Sequence, residues 1–293
     1  MTYFVILEIY DSFFRQFLGA NMMRKPDFNL MTDLAIKYRR EILKVIHNAG
    51  SGHPGGSLSC IDLLIVLYQY KLRYDVKNPS WEDRDRLIVS KGHASPAVYV
   101  AMADVGFFPK EELWGFRKID RILQGHVHTK IPGIELSTGS LGQGLSVANG
   151  LGLSAKMKKQ DFKVYCILGD GEMQEGSIWE ALMTGSHYKI DNVCAILDYN
   201  KVQENGRVND IMNLEPLKER IESFGWNTID IDGHNFEEIT AAFDKFSETT
   251  DKPTFIIANT VKGKGVSFME FNHNWHGKAP NAEMLEKALA ELQ

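Results

Sequence analysis

Apolar positions recur at two different periods along the chain, and the change from one to the other falls near residue 160. Before that point the helical period dominates. Leu34, Tyr38, Ile42 and Val45 place one apolar face on a helix over 32–48, with Thr32 and Asp33 as cap candidates. The stretch Ala49-Gly50-Ser51-Gly52-His53-Pro54-Gly55-Gly56 interrupts it and reads as a loop. A second helix is expected over 59–72, with Ser59 as N-cap and Asp62 three positions on in a capping-box-like arrangement. Leu87-Ile88-Val89 predicts a short strand, from which Ser90-Lys91-Gly92-His93 leads into a helix over 94–105. The segment 141–159 has helical texture although it carries Gly142, Gly144, Gly150 and Gly152. Glycines lower helix propensity, so their presence implies close approach of another helix or of a cofactor.

Beyond residue 160, short unbroken apolar runs alternate with amphipathic segments. Strands are expected at 164–168, 193–198, 227–231 and 254–259, and helices at 177–187, 214–224 and 235–248. A terminal helix over 281–293 presents Ala282, Leu285 and Leu289 for packing. Continuous apolar strands separated by helices predict an α/β fold, with a parallel sheet covered by helices on both faces. In such folds ligands bind beyond the carboxyl ends of the strands, so the polar residues at those ends are where chemistry is sought.

Composition narrows the classes. With 44% hydrophobic and 24% charged residues over 293 positions, the chain can bury a sizeable core. Its 33 basic and 38 acidic residues give a net charge of −5, which argues against nucleic acid as a partner while leaving room for a small phosphorylated ligand. Cys60, Cys166 and Cys194 lie in apolar surroundings without C-x-x-C spacing, so buried thiols in a reducing cytoplasmic compartment are expected, and zinc or cysteine catalysis is not. No apolar run approaches the roughly 18 residues of a membrane span. The apolar stretch Tyr3–Leu7 is followed by Glu8 and Asp11 and preceded by no basic residue, unlike a signal peptide. Residues 1–25 read as an appendage to one domain over 26–293, with Met22 and Met23 as alternative starts.

The strongest chemical signal is Gly169-Asp170-Gly171, directly after the first strand of the alternating region. Asp170 offers a hard carboxylate oxygen at a strand tip, and Gly171 lets backbone approach a ligand, with positive φ open to it. Thirty residues later the next strand ends in Asp198-Tyr199-Asn200. Adjacent parallel strands would set Asp170 and Asn200 side by side. A carboxylate, an amide carbonyl and a backbone carbonyl suit Mg²⁺ or Ca²⁺ rather than zinc, and Mg²⁺ with so few protein ligands completes its shell with phosphate oxygens. A metal diphosphate is the ligand implied.

Gly-Asp-Gly followed by Asn at this distance resembles the motif of thiamine-diphosphate enzymes. The surrounding sequence narrows the resemblance to transketolases: Ser51-Gly52-His53-Pro54-Gly55, Ser90-Lys91-Gly92-His93-Ala94, Gly125-His126, Thr138-Gly139-Ser140-Leu141-Gly142-Gln143-Gly144, Gly169–Gly176 and Trp275-His276-Gly277 occur in that family's order, over about 32–280. The resemblance implies a diphosphate-binding (PP-type) domain using thiamine diphosphate and a divalent metal. It implies that Asp170, the Asn200 side chain and the Val202 carbonyl ligate the metal. Gly171, Glu172, Asn200, His93 and His276 then fall on the cofactor side, and Gly139, Ser140 and Leu141 form the loop against its rings. His53, His126 and His276 would face the reacting sugar, and Glu175 would join a carboxylate network between subunits. Ser140 stands where family members often have proline. A full-length transketolase is much longer, so the resemblance also implies a two-chain enzyme. The complementary C-terminal subunit would supply the pyrimidine-binding half, the assembly would be a homodimer of heterodimers, and the substrates would be sugar phosphates.

The histidines support this on chemical grounds. Ketol transfer moves protons on and off hydroxyl and carbonyl oxygens near neutral pH, which imidazole does well. His53, His93, His126 and His276 all adjoin glycine, or lie one residue from it, in loop texture. His47, His187 and His234 read as surface or packing residues, and His128 and His273 as loop residues without a role. Lys262 and Lys264 in Val261-Lys262-Gly263-Lys264-Gly265 suit a phosphate and a solvated loop equally. Two rival readings stay open: a subunit of another ketol transferase resembling 1-deoxyxylulose-5-phosphate synthase, and a non-catalytic partner-binding subunit.

Overall fold

The computed structural model describes residues 25–293, so the expected appendage lies outside the described residues except for Lys25. Helix α1 (Phe28–Ala49) starts where the Asp27 carboxylate accepts from Leu30 N at 3.0 Å, and stops at Gly50, whose φ of 67° only glycine adopts without strain. The expected cap residue Thr32 is inside the helix, and its hydroxyl donates back to the Phe28 carbonyl.

Helix α2 (Pro54–Val66) corrects the expectation more sharply. Pro54 occupies the first turn, and Gly55 and Gly56 are helical. The glycines serve proximity: a Cβ at Gly55 would lie 3.0 Å from the Lys262 side chain, and one at Gly56 would lie 3.3 Å from Lys91 Nζ. Ser59 and Asp62 are therefore not caps. Both are buried in the helix interior, where Ser59 donates to Asp198 and Asp62 pairs with Arg39 and His234. The helix runs on as a π-helical turn over Leu67–Lys71.

Strand β1 (Arg86–Val89) is followed by α3 (Ser95–Val105), a long irregular stretch, and α4 (Gly144–Lys158). The remaining elements are β2 (Val164–Gly169), α5 (Gly176–His187), β3 (Val193–Tyr199), the β4 (Val202–Gln203) and β5 (Gly206–Arg207) hairpin, a short turn of helix, α6 (Leu217–Ser223), β6 (Asn227–Asp232), α7 (Phe236–Glu248), β7 (Thr254–Asn259) and α8 (Ala282–Glu291). The five long strands form one parallel sheet in the order β1-β2-β3-β7-β6. Because β1 pairs with β2, the change of pattern near residue 160 is not a domain boundary.

Alternation along β2 explains the two layers. Tyr165 and Ile167 join a core with α1, α2, α3 and α7, whereas Val164, Cys166 and Leu168 join a core with α4, α5 and α6. Both faces are buried, which is why the strand reads as a continuous apolar run. The three cysteines are free and buried. In-register pairing puts Gly169 opposite Asp198 and Tyr199 opposite Asn259, so the strands end together along one edge.

The glycines of α4 separate by space. A Cβ at Gly152 would lie 2.6 Å from both Ile190 Cγ2 and Val193 Cγ2, so the helix backbone rests directly on the start of β3; Gly150 has nothing within 4 Å. Gly150→Ala is expected to stabilise the fold by about 0.5–1 kcal/mol through helix propensity. Gly152→Ala is expected to destabilise it by about 1–3 kcal/mol through overpacking. Urea denaturation of both variants checks the pair, and equal effects would contradict this packing.

Candidate active site

The carboxyl edge of the sheet gathers the predicted residues. Asp170 follows β2 directly, and its carboxylate accepts from Gly171 N at 2.8 Å and from Lys201 N just beyond β3. Asn200 follows β3, with its side-chain oxygen 3.2 Å from Val202 N. Asp170 and Asn200 thus sit at the tips of paired strands, as the pattern predicts. Gly171 does not adopt positive φ; it opens a 3₁₀ turn, and a Cβ there would come within 3.0 Å of Gln203 Cβ. Space rather than dihedral freedom is what the glycine supplies.

Asp198 is the centre of the buried polar network. Fully buried, its carboxylate accepts from Ser59 Oγ at 2.6 Å and Asn200 Nδ2 at 3.0 Å, and also from Lys91 Nζ and Thr260 Oγ1. Despite its burial, these partners hold the carboxyl below the usual carboxylate range, with Lys91 the largest of the favourable influences. Lys91, itself only 2% exposed, also donates to the Gly56 carbonyl at 3.2 Å. Asp170 has no such ion pair among the described residues, and burial together with the Asp198 charge pushes its carboxyl up to about 6.

The sequence alone leaves Lys262 undecided, and the structure buries it. Its ammonium donates to the Val202 carbonyl at 2.7 Å and lies 2.9 Å from His276 Nδ1. An ammonium only donates, so Nδ1 accepts and the imidazole proton resides on Nε2. Lys262 is lowered to about 8, by burial first and then by Lys91. Nothing in Lys-Gly-Lys-Gly signals burial; the mark lies in Gly55, whose missing side chain makes room for this lysine.

Four of the histidines converge. The His53 ring centroid lies 5.2 Å from that of His93, 5.4 Å from His276 and 6.3 Å from His126, and His93 is 5.1 Å from His276. Burial, then surrounding cations, lowers His53 to about 4 and His276 to about 3, keeps His93 well below its ordinary value, and lowers His126. All four are neutral at pH 7 and able to donate one hydrogen bond, while the acceptor nitrogen of His276 is taken by Lys262. A cleft of about 490 Å³ opens beside His276, bordered by Glu204, Asn205, His273 and Gly277.

The loop 138–144 borders the same region. A Cβ at Gly139 would lie 3.7 Å from the His126 ring. Ser140 is exposed and Leu141 half-buried. Glu172 is buried, and its carboxylate accepts from Gly142 N at 2.9 Å, Gly169 N at 3.0 Å and Ser90 Oγ, tying this loop to the ends of β1 and β2. Glu175 is exposed at the start of α5. The remaining histidines have local roles: His47 Nδ1 meets the Pro280 carbonyl and His128 Nε2 the Ile122 carbonyl, while His234 lies between Asp62 and Val261 N. His187 is exposed and stacks on Tyr188.

Residues 32–292 match the family model described as transketolase, thiamine diphosphate binding domain. The chain is 41% identical over 256 residues to one of the subunits of the apulose-4-phosphate transketolase of Phocaeicola vulgatus, covering 87% of this chain and 91% of that protein. It is 42% identical, with 87% and 93% covered, to 6-deoxy-6-sulfo-D-fructose transketolase subunit SqwG of a Clostridium species. Against human transketolase the identity is 39%, and the match spans 92% of this chain but 43% of that protein. The crystal structure of transketolase from Campylobacter jejuni superimposes with a TM-score of 0.86 at 34% identity, again covering 91% of this chain and 43% of the other.

The buried charges permit one direct check. Removing one partner of a buried ion pair leaves the other uncompensated, a loss of about 3–5 kcal/mol. Asp198→Asn is expected to destabilise the fold on that scale in urea denaturation, and unchanged stability would show that Lys91 finds solvent.

Proposed function

As the chain belongs to the transketolase family and spans its thiamine diphosphate-binding domain, we propose that it is the diphosphate-side subunit of a two-chain transketolase. Such an enzyme transfers a two-carbon ketol unit from a ketose phosphate to an aldose phosphate. The observation that carries this reading is the placing of Asp170 and Asn200 at the tips of β2 and β3, with Val202 next to them on β4 and its carbonyl joined through Lys262 to the cluster of four histidines. Two relatives whose names mark them as transketolase subunits match this chain over nearly their whole length, which supports a separate partner chain.

The residues fit a divalent metal. Asp170 is a buried carboxylate with backbone donors and no ion pair among the described residues, and the Val202 carbonyl already receives an ammonium from Lys262. Oxygen donors of this kind suit Mg²⁺ or Ca²⁺, which would in turn hold the diphosphate. Gly171 and Asn200 would contact the diphosphate, with His93 and Lys262 adding donors. Glu172 would shape the loop through which Gly139, Ser140 and Leu141 meet the cofactor's rings. Thiamine diphosphate, when bound, supplies the carbanion chemistry.

This chain's residues would position the sugar and move its protons. His276 presents an N–H at Nε2, because Lys262 occupies Nδ1, and can donate to a developing alkoxide. His53 and His126 would hold the hydroxyl groups. Glu175, exposed at the start of α5, would meet the second active-site half in a homodimer of heterodimers. Among the described residues no helix is long and apolar enough to cross a membrane, and a cytoplasmic location is the reading we propose.

Asp170→Ala removes the charged metal ligand. Calorimetric titration with thiamine diphosphate and Mg²⁺ should show loss of metal-dependent binding, with the fold retained because the strand tip lies outside both cores; unchanged affinity would refute the metal assignment. Assayed for ketol transfer with a panel of ketose donors, the chain alone should be silent. Activity should appear with its complement and saturate near equimolar addition. Full activity without a partner would refute the two-chain reading.

A further inference from the structure

The irregular stretch between α3 and α4 contains a residue that no catalytic expectation included. Arg117 adopts φ of 59°, a left-handed conformation that is unfavourable for a side chain of this size. Its backbone N–H donates to the Leu123 carbonyl at 2.8 Å, and its Nη1 donates to Ser51 Oγ at 3.0 Å. Ser51 is two residues before His53, and Leu123 three before His126. The neighbouring Gly125 is shaped to this arrangement. A Cβ at Gly125 would come within 2.8 Å of Arg117 Nε and 2.9 Å of Nη2. Nε itself is buried without a hydrogen-bond partner. A strained residue, a buried unpartnered donor and a glycine, Gly125, that gives it room are features a folding role alone does not call for.

We propose that Arg117 is a positioning residue, its guanidinium clasping together the two loops that carry His53 and His126. This inference rests on the ketol-transfer reading for its enzymatic consequence, though not for the clasp itself. The guanidinium fixes the separation of the two imidazoles, 6.3 Å between centroids, and brings a permanent charge to both. Around His53 the charged and titratable groups are Arg117, His126, Lys262 and Lys91, with the His93 and His276 rings adjoining; for His126 they are Arg117 and the His53 ring. Behind burial, Arg117 is the foremost of the charges that keep both imidazoles unprotonated. Protonated imidazole cannot accept a proton or a hydrogen bond, so Arg117 would extend the working range of both residues toward acid.

Removing the charge lets both imidazoles take up protons at higher pH, so the acid limb of kcat/KM moves to higher pH; a lysine keeps the charge and loses the Nη1 bond to Ser51. Two variants of the full chain, Arg117→Gln and Arg117→Lys, separate these effects. In the chain alone, NMR titration of the imidazoles should show the His53 and His126 midpoints raised in Arg117→Gln and less so in Arg117→Lys. With the complementary subunit present, both variants should lose roughly tenfold or more in kcat/KM, mostly in kcat, because misplaced groups slow the chemical step. Thiamine diphosphate affinity should stay at the wild-type value. Midpoints unmoved in Arg117→Gln would overturn the proposal whatever the enzyme assay gives, as would full kcat/KM in both variants. Should no ketose be turned over by any form, the ketol-transfer reading fails while the imidazole titration still decides on Arg117.

Discussion

The site depends on a carboxylate that is itself fully buried and touches no solvent. Asp198 lies at the end of β3 and is held by side chains from α2, from the turn after β1, from the segment after β7 and from its own strand's extension. Burying a charge is costly unless it is paired and hydrogen-bonded, and here the charge is paired with Lys91 and both oxygens accept hydrogen bonds. The consequence is positional. Ser59, Lys91, Asn200 and Thr260 cannot move independently, so four segments of chain keep a fixed relation at the sheet edge. Asp170 and Val202, the remaining oxygen donors, are placed by this frame: one is joined to Lys201 N and the other to Lys262.

The same frame sets the chemistry of the histidines. Lys91 and Lys262 are buried cations within the histidine cluster, and they add to the effect of burial in keeping the imidazoles neutral. Lys91 is offset by Asp198, and the neutral imidazoles can act in hydrogen bonding at neutral pH. On the function proposed above, these imidazoles would serve a sugar whose hydroxyl and carbonyl oxygens exchange protons.

Much of the architecture is legible in the sequence because the parallel strands are buried on both faces and show as unbroken apolar runs: β7 matches its expected range and β2 and β3 each extend it by one residue. The Asp170 and Asn200 pairing is legible for the same reason, since strand tips in register follow from strand order. The start of α2 is not. Gly55 and Gly56 suggest a loop, and Ser59 with Asp62 suggests a cap, because local pattern cannot show that two lysines from distant segments need the space or that a distant aspartate needs the hydroxyl. Lys91 stands in a motif that gives it no role, and Lys262 suits two readings, since burial of a lysine depends on partners brought by the fold. Arg117 carries no signal at all: its left-handed backbone and its fit against Gly125 exist only in three dimensions.

On the proposed function, this chain grips the diphosphate end of the cofactor through a metal at the β2 and β3 tips. The most direct test is calorimetric titration of the full chain with thiamine diphosphate and, separately, with unphosphorylated thiamine, each with Mg²⁺ and with chelator. The account predicts binding of thiamine diphosphate only with Mg²⁺ and no measurable binding of thiamine in either condition; equal binding of the two compounds, or binding indifferent to the chelator, would contradict it.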